Sequence, residues 1–361
     1  MKFISPVDGS MLSNISGQIA DSSLIIDVSL QAEKGKQIKI NGILATENDG
    51  LYTAKVPIKD FKNTLIATDE TNTSTIVIYW LKNADKKYAL SVDDNIFFLC
   101  DINKNKDVYK SIFDNPYLAV YKKAHDLYGA KVRLNLFYEI DPVYHGVFGE
   151  FNLSMMTDKF KDEWVKNSDW LHLAFHADKE FPDKPYKFAS FDKVEADYVK
   201  IIKEICRFAG SEVIEPCTTF HWGESNREGI RAVKKQGIDM LMGYLDYDQE
   251  GDPLVSYYLS DQQINDANVY GFYKDHSEDM IFGKIDAVLN LYTPQKNIQI
   301  LEDSLKKYPK KGFIEVMIHE QYFYDFYFNY EPDYEERILS ACKWCAEHGY
   351  QGSFASDAVL K

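Results

Sequence analysis

Residues 1–85 alternate apolar and polar positions over short, β-branched stretches at 23–32, 37–43, 51–58, 63–68 and 73–81. Gly and Asn-Asp turns separate them, so each stretch reads as a half-buried strand. Strands recurring about every ten residues predict a small all-β sandwich of immunoglobulin-like type.

After Asp85-Lys86-Lys87 the rhythm changes. Near-continuous apolar runs at 88–92, 131–137, 170–176, 212–219, 240–244, 287–291 and 313–318 read as buried parallel strands. Amphipathic stretches separate most of them, the pattern of βα units. Helices are expected at 190–209, ending at Gly210, and at 225–236, opened by a Ser225-x-x-Glu228 capping box and closed by Gly237. Others are expected at 294–308, with Thr293 as N-cap, and at 334–348 before Gly349. The chain therefore divides into a sandwich module at 1–85 and an α/β unit, with its βα units around a parallel sheet or barrel, at 86–361.

Composition narrows the function. The 361 residues are 45% hydrophobic and 27% charged, which is enough apolar material for a fully folded chain. A net charge of −15 opposes phosphate backbones and anionic membranes, so neither a nucleic-acid nor a membrane partner is expected. No apolar run approaches the roughly 20 residues of a membrane span, and the opening MKFISPVDGS lacks a signal-peptide core. A cytoplasmic protein is expected, or an exported one if a leader has been removed. The 5 cysteines, odd in number and sparse, suit a reducing compartment, and Cys342-x-x-Cys345 reads as part of a buried helix face.

Chemistry is expected where parallel strands end, because their C-terminal ends converge on one face of a barrel. The run 88–92 leads into Asp93-Asp94, 171–175 into His176, 213–220 into His221, and 313–318 into His319-Glu320. Adjacent carboxylates are costly unless a cation or shared proton relieves them, so a metal is expected at the pair. Strand alternation lets one Asp bind metal while the other handles a proton. In the segment 170–180, His172, His176 and Glu180 recur at i,i+4 spacing. Two histidines four apart in one strand lie about 13 Å apart and cannot share an ion. If the strand ends at His176 and the chain then turns helically, Glu180 folds back toward it. Asp94, His176 and Glu180 form the preferred ligand set, with His172 as the alternative. His319 is placed as a general acid.

These residues, taken in order, resemble the NodB-homology polysaccharide deacetylases over about residues 88–361. Ser91-Val92-Asp93-Asp94-Asn95 is similar to that family's Thr-Phe-Asp-Asp-Gly motif. The family's His-x-x-x-His motif is matched by His172–His176 or, by strand-end position, by His176–Glu180. Its Arg-Pro-Pro-Tyr-Gly loop corresponds to Phe220-His221-Trp222-Gly223-Glu224, and its final strand ending in an acid His corresponds to Ile318-His319. The resemblance implies a distorted βα barrel and a divalent, zinc-like metal ion held by Asp94, His176 and a third ligand. It implies Asp93 as base and His319 as acid, with His221 orienting Asp93 or serving as a ligand. Three positions depart from the pattern: Asn95 for a turn Gly, His221 for an Arg, and the second metal His.

The implied substrate is an acetylated carbohydrate. Aromatic faces pack on sugar C–H surfaces, and Tyr322 opens the run Tyr322-Phe323-Tyr324-Asp325-Phe326-Tyr327-Phe328-Asn329-Tyr330. Trp222, Tyr322 and Asp246 are the candidate substrate contacts. Two other readings compete: a carboxylate glycoside hydrolase using Asp93 and Asp246, and an inactive carbohydrate-binding relative. The sandwich is compatible with a role in assembly as the interface of a homo-oligomer.

Overall fold

The computed structural model describes residues 1–360. In the N-terminal part, period-two burial along Ser23–Gln31 puts Leu24, Ile26, Val28 and Leu30 inside. One sheet runs in the order Lys2–Ser5, Ser23–Gln31, Leu51–Ile58 and Thr46–Asn48, with Gln18–Ala20 also on Ser23–Gln31. The second runs Met11–Ser13, Thr73–Leu81, Lys62–Thr68, Lys39–Ile40 and Ile43–Leu44. Both contribute to one core, with Val28 and Tyr52 from the first sheet and Leu65, Ile78 and Trp80 from the second. The stretch expected as one strand at 37–43 is a tight hairpin instead. Asn41 and Gly42 both adopt positive φ (+47° and +81°), the conformation a two-residue turn requires.

The remainder is a mixed α/β ring of parallel strands. One arc runs Leu171–Ala177, Val132–Phe137, Lys87–Asn95, Phe313–His319 and Ala287–Val288, and the other Cys217–Thr218, Met240–Gly243 and Met280–Lys284. Backbone bonds join the arcs at both seams. On one side, Leu173 N–H donates to Val213 O at 2.8 Å. On the other, Ile285 N–H donates to Gly243 O at 2.8 Å and Asp286 N–H to Glu315 O at 2.7 Å. The segment from Met280 to Val288 thus changes partner from one arc to the other and closes the ring.

Several boundaries differ from expectation. The strand expected at 212–219 contracts to Cys217–Thr218, because Pro216 cannot donate a ladder bond. The strand expected at 287–291 stops at Val288 and becomes a 3-10 turn. The helix Arg227–Lys235 is capped by Asn226, whose side chain accepts from Gly229 N–H, so the Ser225–Glu228 box is one residue early. The antiparallel pair Phe272–Asp275 and Met280–Lys284, and the helices Phe97–Lys104, Pro116–Tyr128 and Asp261–Tyr270, carry no expectation from the sequence. No helix among the described residues is long and apolar enough to cross a membrane.

The sandwich packs under the barrel, against the starts of its strands. Met11, Tyr79 and Leu81 share a cluster with Met240, Phe272 and Phe313, and Tyr270 enters the sandwich core. Across this junction Ser10 Oγ donates to Asp266 Oδ1 at 2.7 Å. The other carboxyl oxygen of Asp266 is buried without a partner, and burial pushes the group up to about 7. A carboxyl raised in the folded state favours folding most below its ordinary value near 4, and that contribution is lost as pH climbs toward 7. The contribution of Asp266 to stability should therefore fall by on the order of a few kcal/mol between pH 4 and 8. Asp266→Asn, which keeps the shape without the charge, should flatten that slope and raise the urea midpoint at pH 8. An unchanged slope would place the ionising group elsewhere.

Candidate metal centre at the strand ends

Both aspartates of the Asp93-Asp94 pair reach the same cavity although they are consecutive in a strand. The cause is a register shift between Val92 and Asn95, where two residues are looped out against the neighbouring strand. Asp94 takes the shift with φ +65°, a left-handed conformation that Asp tolerates better than most side chains but still at a cost. The surroundings hold it there. Asn95 Nδ2 donates to Val92 O at 2.7 Å and Asn135 O at 3.1 Å, while its Oδ1 accepts from Tyr117 OH at 2.6 Å. Next along the chain, Glu320 accepts the N–H groups of Ile96, Phe97 and Phe98 at 2.5, 2.9 and 2.6 Å, clamping the following helix start.

Asp94, His176 and His221 converge, with one ligand atom from each within 4.8 Å of the others, and all three are buried. Asp94 Oδ1 lies 2.9 Å from His176 Nε2 and 3.1 Å from His221 Nδ1, and the two imidazole nitrogens are 3.2 Å apart. The far nitrogens decide the tautomers. His176 Nδ1 is 2.6 Å from Thr219 O and His221 Nε2 is 3.0 Å from Glu180 O, and a carbonyl oxygen can only accept. Those nitrogens carry the hydrogens, so in the neutral rings the facing nitrogens present lone pairs to a carboxylate oxygen. Three acceptors cannot share that space without positive charge among them.

The titration directions agree. Burial alone would raise Asp94, but the charge of His221 and the hydrogen bonds both imidazoles give when protonated hold it well below the usual carboxylate range. Burial also works against a charged His176, yet Asp93 and Asp94 outweigh it and push the ring up. The arrangement suits a divalent metal ion, with N and O donors, second hydrogen bonds orienting both rings, and Phe137 packed against each ring at centroid distances of 5.3 and 5.0 Å.

Two expected ligands are not in this cluster. Glu180 lines the cavity, but its carboxylate is tied to Asp94 only through Gln321, whose Nε2 donates to Glu180 Oε2 at 2.7 Å and Asp94 Oδ2 at 2.9 Å. Burial and the nearby Asp94 charge push Glu180 up to about 8. His221 occupies the third position, because its loop brings the ring over Asp94 while Glu180 offers that ring its backbone. His172 is elsewhere in the barrel. Residues 171–177 stay extended, so His172 is roughly 13 Å along the strand from His176. Its Nδ1 sits 2.5 Å from Glu215 Oε2, and its ring stacks on Phe354 at 3.7 Å.

The cavity has a volume of about 350 Å³, and Asp93, Asp94, His176, His221 and His319 all line it. Asp93 and His319 are register partners on adjacent strands. Asn290 Oδ1 accepts both from His319 N–H at 3.3 Å and from the ring at Nδ1, 2.9 Å away, which leaves Nε2 as the unengaged nitrogen. Trp222 and Tyr322 lie on the wall, with Tyr244, Tyr327 and an apolar patch that includes Ile285, Val288 and Met317. Asp246 does not line the cavity. It pairs with Lys284 at 3.3 Å in a short ribbon, and Tyr244, two residues earlier, takes the wall position. No lining residue precedes Asp93, so the sandwich contributes nothing to the wall. Gln321, Asn290 and Asn135 belong to the site but carry no sequence signal beyond closeness to strand ends.

No protein-family model matches the sequence, and no curated protein matches it. Among solved structures, the chain is similar to a CE4-family pseudoenzyme from Bacillus anthracis, with 10% identity, TM-score 0.35, and coverage of 77% of this chain and 66% of that one. The chain thus spans just under two thirds of that protein. It is also similar to a family 4 acetyl xylan esterase from Clostridium thermocellum in complex with a cobalt ion, with 10% identity, TM-score 0.37, and coverage of 76% and 91%. A third is 4-alpha-glucanotransferase from Thermococcus litoralis, with 12% identity, TM-score 0.48, and coverage of 77% and 40%. At these identities and TM-scores the likeness carries no statement about activity, which must come from the side chains of the site.

Proposed function

We propose that this chain is a zinc-dependent hydrolase that removes acetyl groups from a carbohydrate. One observation carries the reading: three buried acceptor atoms of Asp94, His176 and His221 converge on one point, with Asp93 and His319 facing the same cavity. An oxygen-and-imidazole set of this kind suits zinc. Bound there, the ion would supply Lewis acidity, lowering the pKa of a water and neutralising charge that develops on the acyl oxygen.

The chain's own groups have separable tasks. Asp93 takes the proton from the attacking water. His319 Nε2 delivers one to the departing nitrogen or oxygen, and Asn290 fixes the ring so that this nitrogen faces the cavity. Gln321 keeps Asp94 and Glu180 apart by donating to both. The apolar patch of Ile285, Val288 and Met317 suits an acyl methyl group, and the faces of Trp222 and Tyr322 suit a sugar ring. A carboxylate glycoside hydrolase is disfavoured because Asp246 lies off the cavity wall.

Residues 86–361 are read as a NodB-type barrel and residues 1–85 as an immunoglobulin-like module. Support for the second comes from strand order. Relabelled A to G, the sheets follow the A-B-E-D and C-F-G arrangement of that fold, with Met11–Ser13 adding parallel to the last strand. That module lies away from the cavity and is free to serve as a homo-oligomer interface.

Elemental analysis of protein purified without chelator should find about one zinc-like ion per chain. Asp94→Ala, His176→Ala and His221→Ala should each lose it, and His172→Ala should retain it. Absence of metal after divalent-ion supplementation would sink the hydrolase reading in favour of sugar binding without turnover.

Acetate release from acetylated oligosaccharides tests the proton roles separately. Asp93→Asn and His319→Ala should keep the metal and lose roughly 10²–10⁴-fold in kcat. Loss of less than about threefold in either would remove that residue from the mechanism.

A further inference from the structure

Beneath Asp93 the barrel interior holds a file of buried polar groups that the chemistry above does not use. Arg133 and Asn135 stand two positions apart on Val132–Phe137, so both side chains project on the same side of the strand. The Arg133 side chain reaches across the barrel interior. Its Nη2 donates to Glu315 Oε1 at 2.6 Å, its Nη1 lies 3.1 Å from Cys217 Sγ, and its Nε donates to Asn135 Oδ1 at 3.2 Å. At 2% exposure the guanidinium has no solvent alternative to these partners.

The contact with Arg133 settles which way the Asn135 amide points. A guanidinium Nε can only donate, so the amide oxygen faces Arg133 and the amide nitrogen faces away from it. There Nδ2 is 2.5 Å from Asp93 Oδ1. A reversed amide would set donor against donor at Arg133 and acceptor against carboxylate at Asp93. One orientation of Asn135 is therefore enforced from below.

We infer that Asn135 and Arg133 are positioning residues for Asp93. Glu315 holds the guanidinium, the guanidinium orients the amide, and the amide occupies Asp93 Oδ1, leaving Oδ2 to receive a proton from the cavity. This rests on the reading of Asp93 as the base. Carboxylate aim matters because a misplacement of about 1 Å can cost on the order of 100-fold in rate.

Asn135→Leu removes the donor while keeping the branched shape of the side chain. Arg133→Lys keeps a cation against Glu315 but loses the planar fork that orients the amide. Each is to be crystallised, assayed for zinc, and measured for kcat and KM on an acetylated oligosaccharide. Both variants should show the Asp93 carboxylate turned from its native position, with Asp94, His176 and His221 unmoved and zinc at the native stoichiometry. The kcat should fall by roughly 10–100-fold with KM within about twofold. An Asp93 carboxylate unmoved in the variants, or zinc lost together with kcat, would overturn the inference. If Asn135→Leu does not fold, Arg133→Lys decides on the same readings. If the native chain releases no acetate, the deacetylase reading fails alone, and the position of Asp93 in the variant crystals still decides this one.

Discussion

The site depends on an electrostatic constraint: a carboxylate oxygen and two imidazole nitrogens face one another within hydrogen-bond distance, and in the neutral rings neither nitrogen has a hydrogen to give. Thr219 O and Glu180 O draw the imidazole hydrogens to the far side of each ring. A buried cluster of lone pairs is unfavourable by itself, so positive charge must enter as a proton or as a metal ion. Much of the surrounding structure keeps the cluster assembled against this repulsion. The register shift at Asp93-Asp94, the Asn95 bracket and the Glu320 clamp on the next helix all fix the backbone that presents the two carboxylates.

That dependence explains which features the sequence made legible. Strand ends are readable because buried parallel strands are long apolar runs, and the polar residue after each run stands out. Asp93, Asp94, His176, His221 and His319 were all located this way, and all line one cavity. The third member of the cluster was not readable. Choosing between Glu180 and His221 requires knowing how the chain leaves two different strands, and loop paths have no periodicity to reveal them. His172 shows the limit of spacing arguments. Its i,i+4 relation to His176 has meaning on a helix, but the strand continues through both residues.

The missed elements have a similar cause. Met280–Lys284 was missed, and the strand expected at 287–291 is cut to Ala287–Val288, because one segment serves two arcs and a strand that changes partners midway leaves a broken apolar run. The helix Asp261–Tyr270 was obscured because its apolar residues serve different neighbours. Ile264 and Ala267 pack in the barrel core, while Tyr270 enters the sandwich core. Gln321, Asn290 and Asn135 were invisible for a further reason. An amide becomes functional through the groups its two ends meet, and those lie on other strands.

The interior charges also restrict what the cavity can accept. Asp93, Asp94, Glu180 and Glu315 all lie in or beneath it, and Arg133 is already engaged by Glu315. Burial pushes Glu180 and Glu315 upward, the response expected of carboxyls that lack enough positive charge nearby. A cation relieves this imbalance, whereas an anionic substrate would add to it. The lining includes no lysine or arginine to pair with a negatively charged ligand. Neutral sugars carrying neutral acyl groups meet both conditions. Under the proposed reading, such a substrate would place a polarisable carbonyl near the cluster, a methyl against Ile285, Val288 and Met317, and a ring against Trp222 and Tyr322. The same charge balance that calls for a metal therefore also disfavours anionic substrates.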